Sequence, residues 1–308
     1  MKAIVVRRHG EPSVLLLEEI ADPVPGEREV LVRVCAAGTN PVDAGNRADG
    51  GWAGVELPWV PGYELAGVVE RLGPGVAGLS PGQRVMAMTD FPPRGGGYAE
   101  LAVVRQDRVA VIADEVSFTA AAATPLAGGT AWQVLDRLGL GHGERLLVLG
   151  ASGGVGSFLV QLAAMAGITV IAAGRPEHHE RMRRLGAAAC IDYTTAGPSE
   201  ISPQVDAIAD LAGGKAAAAW LAALRDHGQI ASITDLELGI FDLVDANITF
   251  HGVLWTADGG VATRLAALLA DGRLTASIAR VLPLSQAAQA HELLESRHPG
   301  GKVVLSVS

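Results

Sequence analysis

Three glycines, Gly150, Gly153 and Gly156, follow an apolar run and precede residues with helical spacing. At a strand-to-helix turn, glycines permit a tight bend, let a diphosphate approach the backbone and let the helix pack closely on the strand. The amides at the start of the helix and the helix dipole favour a negative ligand. The spacing is GxxGxxG instead of GxGxxG, so the prediction depends on the flanking strands. In that context a run of residues is predicted to bind a dinucleotide: Ala151, Ser152, Gly153, Gly154, Val155 and Gly156.

The end of the next predicted strand, Gly174 followed by Arg175, indicates which dinucleotide is bound. A site for NAD usually places a carboxylate there to bind the ribose 2′-hydroxyl. This chain instead has a guanidinium, which suits a phosphate group. The sequence therefore predicts NADP(H), with Arg175 at the 2′-phosphate. Three later arginines are interpreted as residues on the exposed face of a helix: Arg181, Arg183 and Arg184.

The same turn also fits G-x-S-x-G, the nucleophile elbow of α/β-hydrolases, which likewise joins a strand to a helix. Ser152 would then be the nucleophile of a serine hydrolase. Its acid and base would follow as Asp235 and then His291 or His298. The β-rich sequence before the turn is not typical of that fold, and an elbow leaves Gly156 unexplained. Dinucleotide binding is the favoured interpretation, and hydrolysis stays open as the alternative.

Composition and charge restrict the partners. The 308 residues carry a net charge of −9, which disfavours nucleic acid because that binding depends on a basic surface. Two widely separated cysteines, Cys35 and Cys190, predict no disulfide framework and no CxxC metal site. The N-terminal sequence lacks the apolar region of a signal peptide. The most apolar stretch, residues 158–173, is interrupted and too short to span a bilayer. We therefore expect a cytoplasmic protein with no membrane partner.

The elements that must position these residues change character along the chain. In the first part, short predicted strands alternate with turns rich in glycine and proline, which favours a β-rich, barrel-like domain. These strands are predicted at residues 2–8, 29–38, 64–73, 83–88, 98–104 and 108–112. From about residue 120, strands at 144–150, 169–174, 189–193, 205–213, 229–234 and 248–255 alternate with helices at 155–166, 176–186 and 215–228. That alternation is typical of a doubly wound parallel sheet.

The predicted fold class is therefore α/β, with two domains. The first is predicted to cover residues 1–117 and the second, which binds the dinucleotide, residues 118–257. A helix at 259–274 and a strand at 301–307 follow. We expect residues 258–308 to return to the first domain and complete it.

Longer segments resemble the zinc-free branch of the medium-chain dehydrogenases/reductases, in particular NADPH:quinone oxidoreductases and zeta-crystallin-like proteins. The matching segments run in family order: "AAGTNPVD" (36–43), "PGYELAGVVERLGPGV" (61–76), "GGGYAELAVV" (95–104), "PLAGGTAWQVL" (125–135), "GASGGVG" (150–156), "LGAAACIDY" (185–193) and "GKVVL" (301–305). The resemblance implies a GroES-like β-rich catalytic domain interrupted by a Rossmann domain with its doubly wound parallel sheet. It also implies a homodimer.

The resemblance further implies that this protein holds no zinc. Zinc alcohol dehydrogenases of the superfamily have a cysteine ligand where this chain has Asn40, and a histidine ligand where it has Tyr63. Without a Lewis acid to polarise an oxygen, chemistry must rely on hydride from NADPH and on hydrogen bonds to the acceptor. Quinones and α,β-unsaturated carbonyls suit such a site because their electrons delocalise when hydride arrives.

Several site residues are implied by the same resemblance. Asn40 corresponds to a position near the nicotinamide and the acceptor, although an Asx turn before Pro41 would also explain it. Thr130 would lie beside the nicotinamide or cap a helix. Tyr193 would help to hold the 2′-phosphate or be an ordinary strand aromatic. Ser232 and Ile233 end a predicted strand near where the cofactor should pass. Lys302 matches a family lysine near the cofactor or is a surface charge.

One departure leaves the proton donor open. Many quinone reductases of this kind carry a tyrosine, proposed as the donor, where this chain has Gly45. Tyr63, Trp52 or water could replace it, and Trp52 and Trp59 could line an aromatic acceptor pocket. Two further alternatives follow from the family itself. One is a non-catalytic protein, as among crystallin relatives, and the other is a biosynthetic polyketide enoyl reductase or cyclase.

Overall fold

The computed structural model describes residues 1–51, 54–90, 94–202, 204–296 and 300–307. Their strands are β1 (Lys2–Val5), β2 (Leu16–Glu19), β3 (Glu29–Gly38), β4 (Glu64–Leu72), β5 (Arg84–Met88), β6 (Leu101–Arg105), β7 (Val109–Val111), β8 (Arg145–Leu149), β9 (Thr169–Ala173), β10 (Ala189–Ile191), β11 (Val205–Asp210), β12 (Leu224–Ser232), β13 (Thr249–Gly252), β14 (Ile278–Pro283) and β15 (Lys302–Ser306). Their α-helices are α1 (Pro41–Asp49), α2 (Phe118–Ala122), α3 (Pro125–Leu138), α4 (Gly154–Met165), α5 (His179–Arg184), α6 (Ala216–Trp220), α7 (Ile240–Asp245), α8 (Gly259–Ala270) and α9 (Ala287–Glu295).

The chain divides into two compact units. One contains Met1–Gly129 together with Thr256–Ser308, and the other contains Thr130–Trp255. The predicted boundary at residues 117 and 118 lies earlier than the observed division. The reason is local packing, since α2 contacts β3, β4 and β5 of the first unit. The residues from Thr256 onward, which follow the second unit, belong to the first unit.

The first unit is built on a largely antiparallel sheet. Among the described residues its strands run in the order β14-β15-β3-β4-β5-β7, and β6 also pairs with β3. Alternate residues of β3 point into a core shared with the neighbouring strands, which removes their apolar surface from water. Val30, Val32 and Val34 form this core with Leu65 and Val85. Since β3 lies between β4 and β15, residues at the adjoining ends of these three strands are brought together.

The second unit is a doubly wound parallel sheet. Its described strands run in the order β10-β9-β8-β11-β12-β13, and every neighbouring pair is parallel. This order reverses direction between β8 and β11, and ligands of such sheets bind at the carboxyl ends of the strands beside that point. The central strands are buried on both faces, which explains their nearly continuous apolar sequence. The fold class predicted from the sequence is confirmed.

Two local predictions were wrong or incomplete. Residues 215–228 were predicted as one helix, but α6 ends at Trp220 and β12 already begins at Leu224. Pairing of β12 with β11, with a register shift near Val205, overrides the helical preference of the alanine-rich sequence. The helix α1 was not predicted. It begins at Pro41, a favoured first helical residue, and ends at Asp49. The next residue, Gly50, has a φ of 90°, the left-handed conformation typical of a C-cap.

Candidate functional site

The glycine turn between β8 and α4 has the geometry that its spacing predicts. Gly150 has φ +80°, a conformation that L side chains rarely adopt. The amide of Gly153 donates to the carbonyl of Gly150 at 3.1 Å, which closes the turn. A Cβ on Gly156 would lie 2.3 Å from that carbonyl oxygen and 2.7 Å from Cα of Ala151. The helix therefore approaches the turn more closely than any side chain at position 156 would permit.

This turn fits the diphosphate of a dinucleotide. The residues from Ser152 to Val155 are partly exposed at the start of α4, a helix of 12 residues. No acidic residue lies in its first turn. The amides of the turn and the positive end of the helix dipole therefore face a ligand without a competing carboxylate from the helix. Ala151 itself is buried and contributes to the turn through its backbone, which is bonded to Ala173.

Arg175 and Tyr193 are brought together at the ends of neighbouring strands. The Nε of Arg175 donates to the Tyr193 hydroxyl at 3.4 Å. Tyr193 lies two residues beyond β10 and is 44% exposed, so it is not a packed strand aromatic. Gly174 is buried before Arg175, and a Cβ there would lie 2.7 Å from the Cε of Met182. The guanidinium and the phenol thus form one polar site at the end of β9.

The prediction that Arg181 lies on an exposed helix face is wrong. Its Nη2 donates to the carbonyl oxygen of Ser152 at 2.9 Å, which links α5 to the glycine turn. Burial lowers the pKa of this guanidinium. No local sequence signal distinguishes Arg181 from Arg183 and Arg184, which are exposed. Only the folding of α5 back onto the turn reveals the contact.

The remaining predicted cofactor residues of the second unit lie at the following places. Ser232 ends β12, aligned through Asp210 of β11 with the last residue of β8. Its hydroxyl donates to the carbonyl of Thr234 at 3.1 Å, and the amide of Ile233 donates to that of Asp210 at 3.4 Å. Both therefore lie at the carboxyl edge of the sheet that carries the glycine turn. Thr130 is buried inside α3, so it does not cap that helix.

In the first unit, Asn40, Glu64 and Lys302 converge where β3, β4 and β15 adjoin. Lys302 Nζ donates to Glu64 Oε1 at 2.6 Å and to Asn40 Oδ1 at 2.5 Å. Asn40 Nδ2 in turn donates to Glu64 Oε1 at 2.9 Å. The three side chains are almost wholly buried. Sequence reasoning missed Glu64, although an acidic residue at the start of the apolar strand "ELAGVV" was a usable signal.

Lys302 is buried, so it is not the surface charge considered as an alternative, while its place near the cofactor stays a prediction. Its third hydrogen bond goes to the carbonyl of Thr39 at 2.7 Å, so all three N–H groups of the ammonium have acceptors inside the first unit. This buried placement excludes a surface charge and leaves no donor for direct contact with a cofactor. The side chain of Asn40 is likewise held by Lys302 and Glu64, while its backbone amide donates to Asp43 at 2.9 Å.

Tyr63 does not have the placement of an accessible proton donor. Its side chain is buried in the core of the first unit, with its ring 6.1 Å from that of Trp59. Its hydroxyl accepts a hydrogen bond from Asn46 at 2.7 Å, and burial raises its pKa. The prediction of a catalytic Tyr63 is therefore not supported by its surroundings. Trp52, the other residue considered as a donor, lies outside the described residues.

Beneath α1 lies a second group of buried titratable side chains. The Tyr98 hydroxyl lies 3.3 Å from Asp43 Oδ2 and 3.3 Å from His291 Nε2. Burial raises the pKa of Asp43 to about 7. Burial, with a smaller contribution from the charge of Arg47, lowers the pKa of His291 to about 3. Asp43 accepts from the backbone amides of Asn40 and Gly62, and the side chains of Asp43, Tyr98 and His291 have no solvent exposure.

Comparisons with known proteins agree with this architecture. Residues 26–114 match the alcohol dehydrogenase GroES-like domain, and residues 185–305 match the zinc-binding dehydrogenase model. The chloroplastic NADPH-dependent alkenal/one oxidoreductase of Arabidopsis thaliana is 33% identical over 99% of this chain and 79% of that protein. The solved quinone oxidoreductase of Coxiella burnetii has a TM-score of 0.93 at 32% identity, over 100% of this chain and 99% of its own. This chain belongs to the quinone oxidoreductase family of medium-chain dehydrogenases/reductases.

Membership of this family confirms the resemblance seen in the sequence and does not support the serine hydrolase alternative. A related mycobacterial protein, solved in complex with NADPH, is 28% identical with a TM-score of 0.89, and the match covers 100% of both chains. Within the described ranges, no group of three His, Cys, Asp or Glu residues is placed to hold a metal ion. Among those same residues, no helix combines the length and apolarity required to cross a membrane.

Proposed function

We propose that this protein is an NADPH-dependent reductase that delivers hydride to a quinone or an α,β-unsaturated carbonyl. The paired Arg175 and Tyr193, one strand away from the glycine turn, are the observation that carries the proposal. A guanidinium and a phenol suit a 2′-phosphate, and Gly174 and Arg175 stand at the end of β9, where a site for NAD usually has a carboxylate. The names of the relatives, an NADPH-dependent alkenal/one oxidoreductase and a quinone oxidoreductase, support the same substrates.

In this proposal the residues of the second unit hold the cofactor. The amides of Ser152 to Val155 bind the diphosphate, and Arg175 and Tyr193 bind the 2′-phosphate. Ser232 and Ile233 lie on the opposite side of the glycine turn from Arg175, beside the path of the rest of the cofactor. Arg181 stiffens the turn through the Ser152 carbonyl. Thr130 stays a prediction as a neighbour of the nicotinamide. When bound, NADPH supplies the hydride.

The residues of the first unit act on the acceptor. The Asn40 amide donates a hydrogen bond to the acceptor oxygen, where negative charge develops as hydride arrives. Gly45 is exposed, and no atom of the described residues lies within 4 Å of where its Cβ would be, so no neighbouring described side chain fills the place of the family tyrosine. Protonation of the reduced product by water is therefore part of the proposal.

The homodimer implied by the family is also proposed, through the edge of the parallel sheet. Within the described residues, β13 pairs only with β12, so its outer edge has unpaired backbone groups. Beside it in sequence, Ile240, Phe241 and Val244 of α7 expose 71%, 77% and 64% of their area. An unpaired edge with exposed apolar residues suits pairing with the same edge of a second copy about a two-fold axis. Cytoplasmic localisation stays a prediction.

NADPH oxidation across a panel of quinones and enones, with NADH in parallel, tests the reductase directly. We expect turnover with NADPH on at least one class of acceptor and weaker activity with NADH. Binding of NADPH with no turnover of any acceptor would favour the non-catalytic alternative. Activity on a single specialised enoyl substrate would favour the biosynthetic one. Absence of NADPH binding by calorimetry would overturn the proposal.

A further inference from the structure

We infer that the buried pair of Glu64 and Lys302 is a positioning device that fixes which end of the Asn40 amide faces the acceptor. This inference rests on the proposed function, and it names the residues that orient Asn40 to donate a hydrogen bond to the acceptor. A carboxamide has one acceptor end and one donor end of nearly equal shape, so its direction depends on its hydrogen-bond partners. The partners of Asn40 permit only one direction of its carboxamide.

The two partners have opposite hydrogen-bonding character. The Lys302 ammonium is only a donor, and it contacts Asn40 Oδ1 at 2.5 Å. The Glu64 carboxylate accepts from both, at 2.6 Å from Lys302 Nζ and at 2.9 Å from Asn40 Nδ2. A flipped amide would set its NH₂ against an ammonium and its oxygen against a carboxylate. The ion pair therefore holds a single orientation.

Glu64 is itself fixed from its other side. Its Oε2 accepts from the backbone amide of Leu126 at 2.7 Å, and the side chain has no solvent exposure. The neighbouring residue on β3 is Gly38, where a Cβ would lie 2.4 Å from Glu64 Oε1. The glutamate thus occupies space that only glycine leaves open. Such close packing restricts the carboxylate of Glu64 to one position.

This arrangement assigns separate tasks to the lysine and the asparagine. Lys302 uses its three N–H groups on Thr39, Asn40 and Glu64, so it has no donor left for an acceptor oxygen. Asn40 uses one Nδ2 hydrogen on Glu64, and no acceptor among the described residues contacts the other. In the proposed function, that second N–H donates to the acceptor oxygen. A donor oriented in advance requires no reorganisation when charge develops on the acceptor.

Two variants test the inference on the full-length enzyme. Glu64→Gln replaces the carboxylate with a group that can itself donate, which removes the constraint on the amide. It also leaves Lys302 as an unpaired buried charge and can therefore impair folding. The double variant Glu64→Gln/Lys302→Met removes both charges with little change in volume, a replacement that buried pairs tolerate better. Glu18→Gln is the matched control, because it breaks an ion pair with Arg7 at the surface of the same unit.

Steady-state kinetics, NADPH binding and thermal unfolding are measured on each variant. We expect the folded double variant to lose about tenfold or more in kcat, while KM for the acceptor and Kd for NADPH change less than about twofold. The control should retain all three values. A folded double variant with unchanged kcat would overturn the inference, as would a loss confined to NADPH binding. Failure of the parent enzyme to reduce any acceptor would instead overturn the proposed function.

Discussion

Arg175 is the second residue after β9, and its guanidinium lies beside the Tyr193 hydroxyl. This position was predictable from the sequence because it depends only on where a strand ends. Glu64 and Arg181 were not predictable in the same way. Glu64 meets Lys302 across 238 residues of sequence, and Arg181 meets Ser152 across 29. Local spacing contains no information about such pairs, so only the folded chain reveals them.

Replacing Arg175 tests the recognition of the 2′-phosphate. Arg175→Ala should weaken NADPH binding by about 1.5–3 kcal/mol, the scale of a hydrogen bond to a charged group. NADH lacks the phosphate, so its affinity should stay nearly unchanged. Calorimetric titration with both nucleotides is the measurement. Arg183→Ala, at an exposed position nearby, is the control. If the two nucleotides weakened equally, Arg175 would not read the phosphate.

At the scale of elements, α4 and α1 place glycines in opposite surroundings. Gly156 of α4 lies against the turn it follows, whereas Gly45 of α1 is exposed with open space around its Cβ position. Gly156→Ala should destabilise the protein by about 1–3 kcal/mol, because the helix must move away from the turn. It should also weaken NADPH binding at least about tenfold, since the amides of the turn move with the helix.

Gly45→Ala is the matched comparison on the other helix. Alanine at an exposed helix interior should stabilise the protein by about 0.5–1 kcal/mol. Denaturant unfolding of both variants, with NADPH titration, measures the contrast. Similar effects of the two substitutions would mean that the close approach at Gly156 has no special role.

The elements also show where sequence patterns are sufficient. The bounds predicted for β3, residues 29–38, are those observed, because its apolar residues alternate and its neighbours are turns. The helix predicted for the alanine-rich segment 215–228 was only partly correct. Alanine favours a helix locally, but the residues from Leu224 onward pair with β11 and belong to the sheet. The short helix α1 lacks a long periodic pattern, and its ends are set by Pro41 and Gly50.

At the scale of the whole molecule, the buried His291 links stability to pH. Burial lowers its pKa to about 3, so the native state keeps it neutral while the unfolded chain takes up a proton near pH 6.5. The neutral His291 side chain therefore contributes fully to the stability of the native state above pH 6.5, and this contribution is lost as the pH falls below 6.5. Between pH 6.5 and 5 the loss should be about 2 kcal/mol.

The unfolding free energy of His291→Gln should therefore rise relative to that of the parent, by about 2 kcal/mol, as the pH falls from 6.5 to 5. Chemical denaturation at several pH values is the measurement, with the exposed His142→Gln as control. The raised pKa of Asp43 has the opposite effect on stability over the same pH range. Because Asp43 is protonated in the native state and ionised in the unfolded chain, its contribution to the free energy of unfolding falls as the pH rises. For that reason the test compares each variant with the parent at the same pH. Identical pH slopes would contradict the assignment.

The proposed dimer makes a prediction about the exposed side of α7. Phe241→Asp should convert the dimer to a monomer, because a charge at the centre of the apolar patch resists burial. Light scattering after size-exclusion chromatography gives the mass. Val24→Asp, which replaces another side chain that is 76% exposed, should leave the mass unchanged. A parent that is monomeric at micromolar concentration would refute the interface.

The pairing of β15 with β3 has a consequence for how the enzyme is made. Asn40 and Lys302 are 262 residues apart, so during synthesis the amide exists long before the ammonium that orients it. Residues 130–255 carry their own core and can condense while translation proceeds, whereas the first unit waits for a strand added near the end. A nascent chain halted before residue 302 would thus present a nucleotide-binding module without a functional reducing centre.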